Sequence, residues 1–369
     1  MWFINVIKVA AIWLCDLVNK CYDPFKQAQL PIVTADLVNL ETQLFWHLQT
    51  THVVDGQFMY QLPMPKDSGD FALFQGLYLA MLAFRYADTA AAEAQLERLF
   101  INNILIRGIQ ADGTINDTAS NDAATGVIFG LWASKQTDLA ARWARQICAS
   151  GYALTDLKGT PTEFGALEQG WKADPLRITL LLAILAVGRL NDPALDAPYF
   201  ELFAKYKLLL AYPKVKLLWW DTDYDTHRAA IHLHILYKVT GQEIYAKGLR
   251  RIHRIMRKSN NAWVEVLCAP ALGPHEVNLS MLHTFTYQNR TRGVVQPPDP
   301  GPIETVNWGG HVRAKETLPM ENRGSQEFMW QRNMFSYKEW DGVTEAYIWH
   351  SGLDFVICCG LARQEGLIK

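Results

Sequence analysis

Five apolar segments, each opened by an acidic residue, recur along the chain at a nearly constant interval. Asp70 (SGDFALFQGLYLAMLAFRY), Asp122 (SNDAATGVIFGLWAS), Asp174 (KADPLRITLLLAILAVGRL), Asp225 (DYDTHRAAIHLHILYKVTG) and Glu276 (PHEVNLSMLHTFTYQ) are separated by 52, 52, 51 and 51 residues. A period of this size marks one supersecondary unit copied along a chain. The opening segments are apolar almost all round, the pattern of a helix covered on every side. After a short turn (YADTA, KQTD, LNDPA, VTGQE), an amphipathic segment such as EAQLERLFINNIL or IYAKGLRRIHRIM follows. The unit therefore reads as a helical hairpin with a buried inner helix and a half-exposed outer one.

Helical periodicity predicts segments at 35–50, 70–87, 91–107, 122–134, 138–149, 174–190, 195–211, 225–240, 243–258, 276–288 and 343–362, with no comparable β-type alternation between them. A sixth unit completes the set if the helix in TEAYIWHSGLDFVICCGLAR is inner and headed by Glu345. The helix at 35–50 is then its outer partner, so that the chain ends meet. The step from Glu276 to Glu345 is 69 residues and holds an irregular insertion at about 289–342, with Pro297, Pro298, Pro300, Pro302, Trp308, Arg323, Trp330, Gln331, Arg332 and Trp340. Long irregular insertions are more often functional than idle. The expected fold is all-α, an (α/α)6 toroid over residues 31–369, preceded by an apolar helix or anchor-like segment at 1–30.

Of the 369 residues, half are hydrophobic and a fifth charged, which suits one large core. A formal net charge of -2, with no long run of Lys and Arg, argues against a nucleic-acid partner. The basic stretch from Lys247 to Lys258 reads as the solvated face of an outer helix. Six cysteines at 15, 21, 148, 268, 358 and 359 show no CxxC spacing and read as buried thiols. A zinc site on Cys358 or Cys359 lacks supporting ligand spacing, so neither metal nor cofactor is expected. The N-terminal MWFINVIKVAAIWLCDL contains Lys8 and stops at Asp16, too short for a stable membrane span, and lacks a basic leader and a cleavage site. It reads as an amphipathic or buried helix, with a degenerate export signal as the competitor. Compartment and oligomeric state stay open, and the sequons at Asn116, Asn278 and Asn289 decide nothing.

The repeat also fixes sidedness. Segments entering inner helices are long and chemically rich (PMPKDSGD, IQADGTINDTASND, LKGTPTEFGALEQGWKAD, KLLWWDTDYD), whereas the turns leaving them are short and plain. Function is expected at the entering mouth. An acid at a helix start is first of all a cap, and Asp174, followed by Pro175, reads that way. Asp70, Asp122 and Asp225 have further polar neighbours and are candidates for a direct role. Glycosidic bond hydrolysis needs one protonated acid and one ionised carboxylate. The expected catalytic set is Asp70, Asp122, Asp223, Asp225 and Glu168, with Glu163 and Glu168 positioned as general acids and Asp223 as base. DTDYD matches cation-ligand patterns only loosely. Trp171, Trp219, Trp220, Trp330 and Arg332 are expected substrate contacts, because flat rings hold sugars by their apolar faces. A second constellation, His283, Tyr287 and Arg290, suits β-elimination on a uronic-acid polymer. His232 and His234 point different ways and read as core.

Inner helices headed by acids, with rich loops on one side, resemble the (α/α)6 toroids of glycoside hydrolases and polysaccharide lyases. The resemblance is architectural and extends from about residue 35 to the end. It implies an oligo- or polysaccharide substrate and catalytic acids at the mouth; DTDYD departs from the DxDD motif of the related terpenoid cyclases. The readings that follow are a glycoside hydrolase, a polysaccharide lyase, or a glycan-binding or assembly module whose acids are only caps.

Overall fold

The computed structural model describes residues 34–59, 61–62, 70–110, 112–166, 174–211, 224–256, 261–272, 304–308, 311–315, 349–350 and 353–368. Of these residues 68% are helical, and the fold is mostly α. The helices are α1 (Thr34–Thr51), α2 (Phe71–Phe84), α3 (Ala90–Glu97), α4 (Asn121–Ala133), α5 (Thr137–Ala149), α6 (Pro175–Gly188), α7 (Asp196–Leu210), α8 (Tyr224–Thr240), α9 (Glu243–Met256), α10 (Ala262–Cys268) and α11 (Leu353–Gln364). No described helix is long and apolar enough to cross a membrane.

Buried and amphipathic helices alternate as the repeat predicts. In α6, Leu180, Leu181, Leu182, Ile184 and Leu185 are all at most 1% exposed, and each such side chain contributes about 1.5–3 kcal/mol through removal from water. Helix α2 packs on α4, α4 on α6, α6 on α8, α8 on α10, α10 on α11, and α11 on α2. The amphipathic helices pack against them: α5 against α6, α7 against α6, α9 against α8, and α1 against α11.

The tightest of these contacts joins α2 to α4, and it is a contact between backbones. A Cβ added to Gly76 would lie 2.3 Å from the carbonyl oxygen of Gly126, one on Gly126 2.3 Å from that of Leu73, and one on Gly130 2.3 Å from that of Gly76. Gly126 and Gly130 are one turn apart, so they share a face. Glycine is required here because the obstacle is main chain, which no rotamer change relieves.

At the chain ends, Glu41 of α1 is 1% exposed and carries two guanidiniums. Arg85, at the C-terminal end of α2, is 2.6 Å away, and Arg363 of α11 pairs with its other oxygen. A buried carboxylate is tolerated only with such partners. The clasp also sets direction, since it brings the C-terminal ends of α2 and α11 together.

Several expectations are corrected. The helix predicted over 91–107 stops at Glu97, and Phe100–Ile101 then pairs with Ile104–Leu105. Asn102 and Asn103 form the turn, with φ of 53° and 62°; two consecutive residues at positive φ make the turn type that matches strand twist in hairpins. Asp55 and Gly56, with φ of 50° and 79°, do the same between Val53–Val54 and Gln57–Phe58. Further hairpins join 108–109 to 115–116 and 153–155 to 161–166, so the entering loops are in part short β-ribbons. The segment at 289–342 also contains one, Thr305–Trp308 with His311–Ala314. The helix predicted from 343 begins at Leu353, because Trp349–His350 pairs as a strand with Gln61–Leu62. Helix α10, unpredicted, packs between α8 and α11, whereas 276–288 and Glu345 lie outside the described residues. The basic face of α9 is not simply solvated: Lys247 is exposed, but Arg251 is buried and Arg250 pairs with Glu243.

Gly→Ala inside a helix ordinarily stabilises by up to about 1 kcal/mol. At Gly126 or Gly130 the sign is reversed: each alanine variant loses more than about 2 kcal/mol through forced separation of two backbones. Urea unfolding checks this, and a midpoint equal to or above wild type at both positions refutes the close packing.

Candidate functional site

The starts of α4, α6 and α8 converge. His232 of α8 spans the three helices: its Nε2 lies 2.9 Å from Thr125 Oγ1 of α4, and its Nδ1 lies 3.1 Å from Thr179 Oγ1 of α6. Each threonine hydroxyl is also within 2.8–2.9 Å of a carbonyl in its own helix, that of Asn121 or Leu176. A neutral imidazole has one N–H and one lone pair. One threonine therefore accepts from the ring while donating to its own helix, and the other donates to the ring. Burial, followed by the nearby Arg228 charge, pushes the His232 pKa well below its ordinary value, which keeps the ring neutral.

Arg228 stands one turn before His232, nearer the start of α8. Its Nη1 donates to Asp122 Oδ1 and its Nη2 to Asp225 Oδ1. One guanidinium thus ties the first turn of α4 to that of α8 in a charge-assisted pair on each side. The two carboxylates differ in access, since the Asp122 side chain is 40% exposed and that of Asp225 9%. Asp225 anchors the arginine from below, and Asp122 faces solvent.

The recurring acids perform different tasks. Asp174 caps α6, its Oδ1 accepting from Leu176 N at 3.0 Å. Helix α4 is capped instead by Ser120, whose Oγ accepts from Ala123 N at 3.1 Å, so Asp122 is released for Arg228. Asp70 occupies the cap position of α2 without a side-chain cap bond and lies 3.4 Å from Arg107 Nη2. Arg107 leads into the 108–116 hairpin, and its carbonyl accepts from Ala72 N at 3.0 Å, so that hairpin sits against the start of α2. Asp354 opens α11 at the same end, opposite the Glu41 clasp.

Of the residues singled out in the sequence, the structure brings Asp122 and Asp225 together through Arg228 and pairs Asp70 with Arg107. Asp223, Glu168, Trp171, Trp219, Trp220, Trp330, Arg332, His283, Tyr287 and Arg290 lie outside the described residues. Glu163 falls on the strand Pro161–Ala166. Arg228 was missed, although its signal was present: it follows Asp225 by three residues and precedes His232 by four, one polar stripe on an otherwise apolar helix.

Elsewhere, a groove of about 370 Å³ lies between α3 and α5, lined by Leu79, Leu131, Glu93, Glu97, Asp138 and Arg142. It adjoins the C-terminal ends of α2 and α4, away from the acids. Among the described residues, no group of three or more His, Cys, Asp or Glu is placed to hold a metal ion. Burial pushes the Cys358 and Cys359 thiols well up, and Cys358 Sγ lies 3.8 Å from the Ala262 carbonyl. The sequence matches no protein-family model, and no curated protein matches it.

Burial likewise lowers His234 from 6.5 to about 4, with its Nδ1 donating to the Leu267 carbonyl at 2.8 Å. Both imidazoles bind protons more readily in the unfolded chain. Their stabilising effect is complete above pH 6.5 and is lost as pH falls from there towards the folded value, about 4 for His234. Each steepens the loss by at most about 1.4 kcal/mol per pH unit. Urea midpoints at pH 7 and pH 5 read this slope, and His234→Gln reduces it. Stability that does not change over that interval contradicts the buried neutral rings.

Proposed function

We propose that the helices close as an (α/α)6 toroid and that the chain is a glycoside hydrolase acting on an oligo- or polysaccharide at the mouth where the inner helices begin. The succession of packing neighbours supports the closed ring, because from α2 through α4, α6, α8, α10 and α11 it returns to α2. The Glu41 clasp between α1, α2 and α11 supports it from the other end.

One observation carries the catalytic reading: Asp122 is a carboxylate held in place by Arg228 and open to solvent at the mouth, with Asp225 fixing the arginine from behind. Hydrolysis of a glycosidic bond needs a carboxylate that attacks the anomeric carbon or activates water, and that carboxylate must be ionised and immobile. An arginine pair favours the charged form and restricts the side chain to one orientation. Asp122 is thus the base or nucleophile of this proposal. The leaving oxygen needs a protonated partner, the role proposed for Glu163 or Glu168, with Trp171, Trp219, Trp220, Trp330 and Arg332 as proposed sugar contacts and Asp223 as the alternative base. Helix N-termini add positive potential at the mouth.

Asp122→Asn keeps the size and the Arg228 hydrogen bond while removing the charge. The expected outcome is a kcat reduced by about 10²–10⁴-fold on any polysaccharide the wild type cleaves, with an unchanged far-ultraviolet circular dichroism spectrum. Undiminished turnover by a folded variant removes Asp122 from the mechanism. Products with the ultraviolet absorbance of an unsaturated uronide assign the reaction to elimination instead.

A further inference from the structure

The starts of α4 and α8 hold three buried polar atoms that lack a hydrogen-bond partner among the described residues: Thr226 Oγ1 and, at the Asp122 pair, Asn121 Oδ1 and Arg228 Nε. Asn121 is 8% exposed and the Arg228 side chain 14%. Native proteins leave few such groups, and each calls for an explanation. Asn121 opens α4 and stands one turn before Thr125, on the same face. Because Thr125 reaches His232 on α8, that face looks towards α8, where Arg228 likewise stands one turn before His232.

The two atoms at the Asp122 pair are complementary: one accepts and the other donates. A hydroxyl group does both. We infer that Asn121 Oδ1 and Arg228 Nε form a hydroxyl-reading subsite beside Asp122, built for a neutral sugar. The inference rests on the carbohydrate reading of the mouth and goes beyond it by naming the substrate class. The charge balance supports neutrality. At or beside the described starts of α2, α4, α6, α8 and α11 stand Asp70, Asp122, Asp174, Asp225 and Asp354 with Arg107, Arg177 and Arg228, five carboxylates to three guanidiniums. Both Nη groups of Arg228 are already engaged by carboxylates, and Arg107 holds Asp70. A uronate brought to Asn121 meets the negative charge of Asp122 there, with Arg228 already committed. A neutral hydroxyl gains two hydrogen bonds and meets no repulsion.

The test uses the full chain and Asn121→Leu, which keeps the side-chain volume and removes the acceptor. The probes are cellohexaose, xylohexaose and mannohexaose, with hexagalacturonate as the acidic comparison, and the readouts are titration calorimetry and thermal melting. The expected result is wild-type binding to a neutral hexaose, weakened on the order of tenfold or more in the variant. The variant's melting temperature equals or exceeds that of wild type, because an unsatisfied buried acceptor is gone. A lower melting temperature with unchanged affinity makes Asn121 a purely structural residue and overturns the subsite while leaving the carbohydrate reading intact. Preference for hexagalacturonate overturns the neutral-sugar assignment. Failure of all four probes to bind wild type overturns the carbohydrate reading itself, and the subsite with it.

Discussion

The backbone contact between α2 and α4 is the constraint on which the rest of the architecture depends. With carbonyl oxygens of one helix occupying the space where side chains would stand on the other, the pair has a single register. It places Asp70 and Asp122 at the same end and aligns α4 for its meeting with α8. The same economy appears at α11, where a Cβ on Gly360 would come 2.8 Å from Phe84 Cβ, so both neighbours of α2 approach it through glycine.

Two polar devices then set what apolar packing leaves undetermined. Glu41 joins the first described helix to the last through two arginines, and its own burial makes the alternative, an unpaired carboxylate, costly. His232 pins α4, α6 and α8 through two threonines, and Arg228 ties α4 to α8 one turn nearer the helix starts. Hydrophobic contact alone permits helices to slide past one another, whereas a hydrogen-bonded crosslink has one position. The clasp at one end and the crosslinks at the other hold the Asp122 carboxylate on a rigid support, which any chemistry at this site requires.

Much of this was legible in the residues. The 51–52-residue spacing of acid-headed apolar segments announced the starts of α2, α4, α6 and α8 to within one residue, because a fully buried helix and its amphipathic partner differ in pattern. The packing of the helix at 35–50 against the last described helix was visible as well. What escaped lay in short local signals overruled by the search for long periods. VVDGQF carries an Asp-Gly turn between β-branched and aromatic residues, and FINNIL an Asn-Asn turn, both hairpin signatures that a helical window averages away. Gly126 and Gly130 were read as part of an apolar helix, since glycine spacing does not say which partner approaches.

The sequence by itself determined that strongly buried helices are followed by amphipathic ones and that acids stand where the buried ones begin, because hydrophobic periodicity and helix-start chemistry are properties of a local window. Only the tertiary structure decided what each acid does. Asp174 caps its own helix, whereas Ser120 caps α4 and frees Asp122 for an arginine 106 residues away. The difference is one of distance along the chain. A cap is satisfied by the backbone two or three residues on, but an ion pair across helices exists only after packing has brought its two ends together.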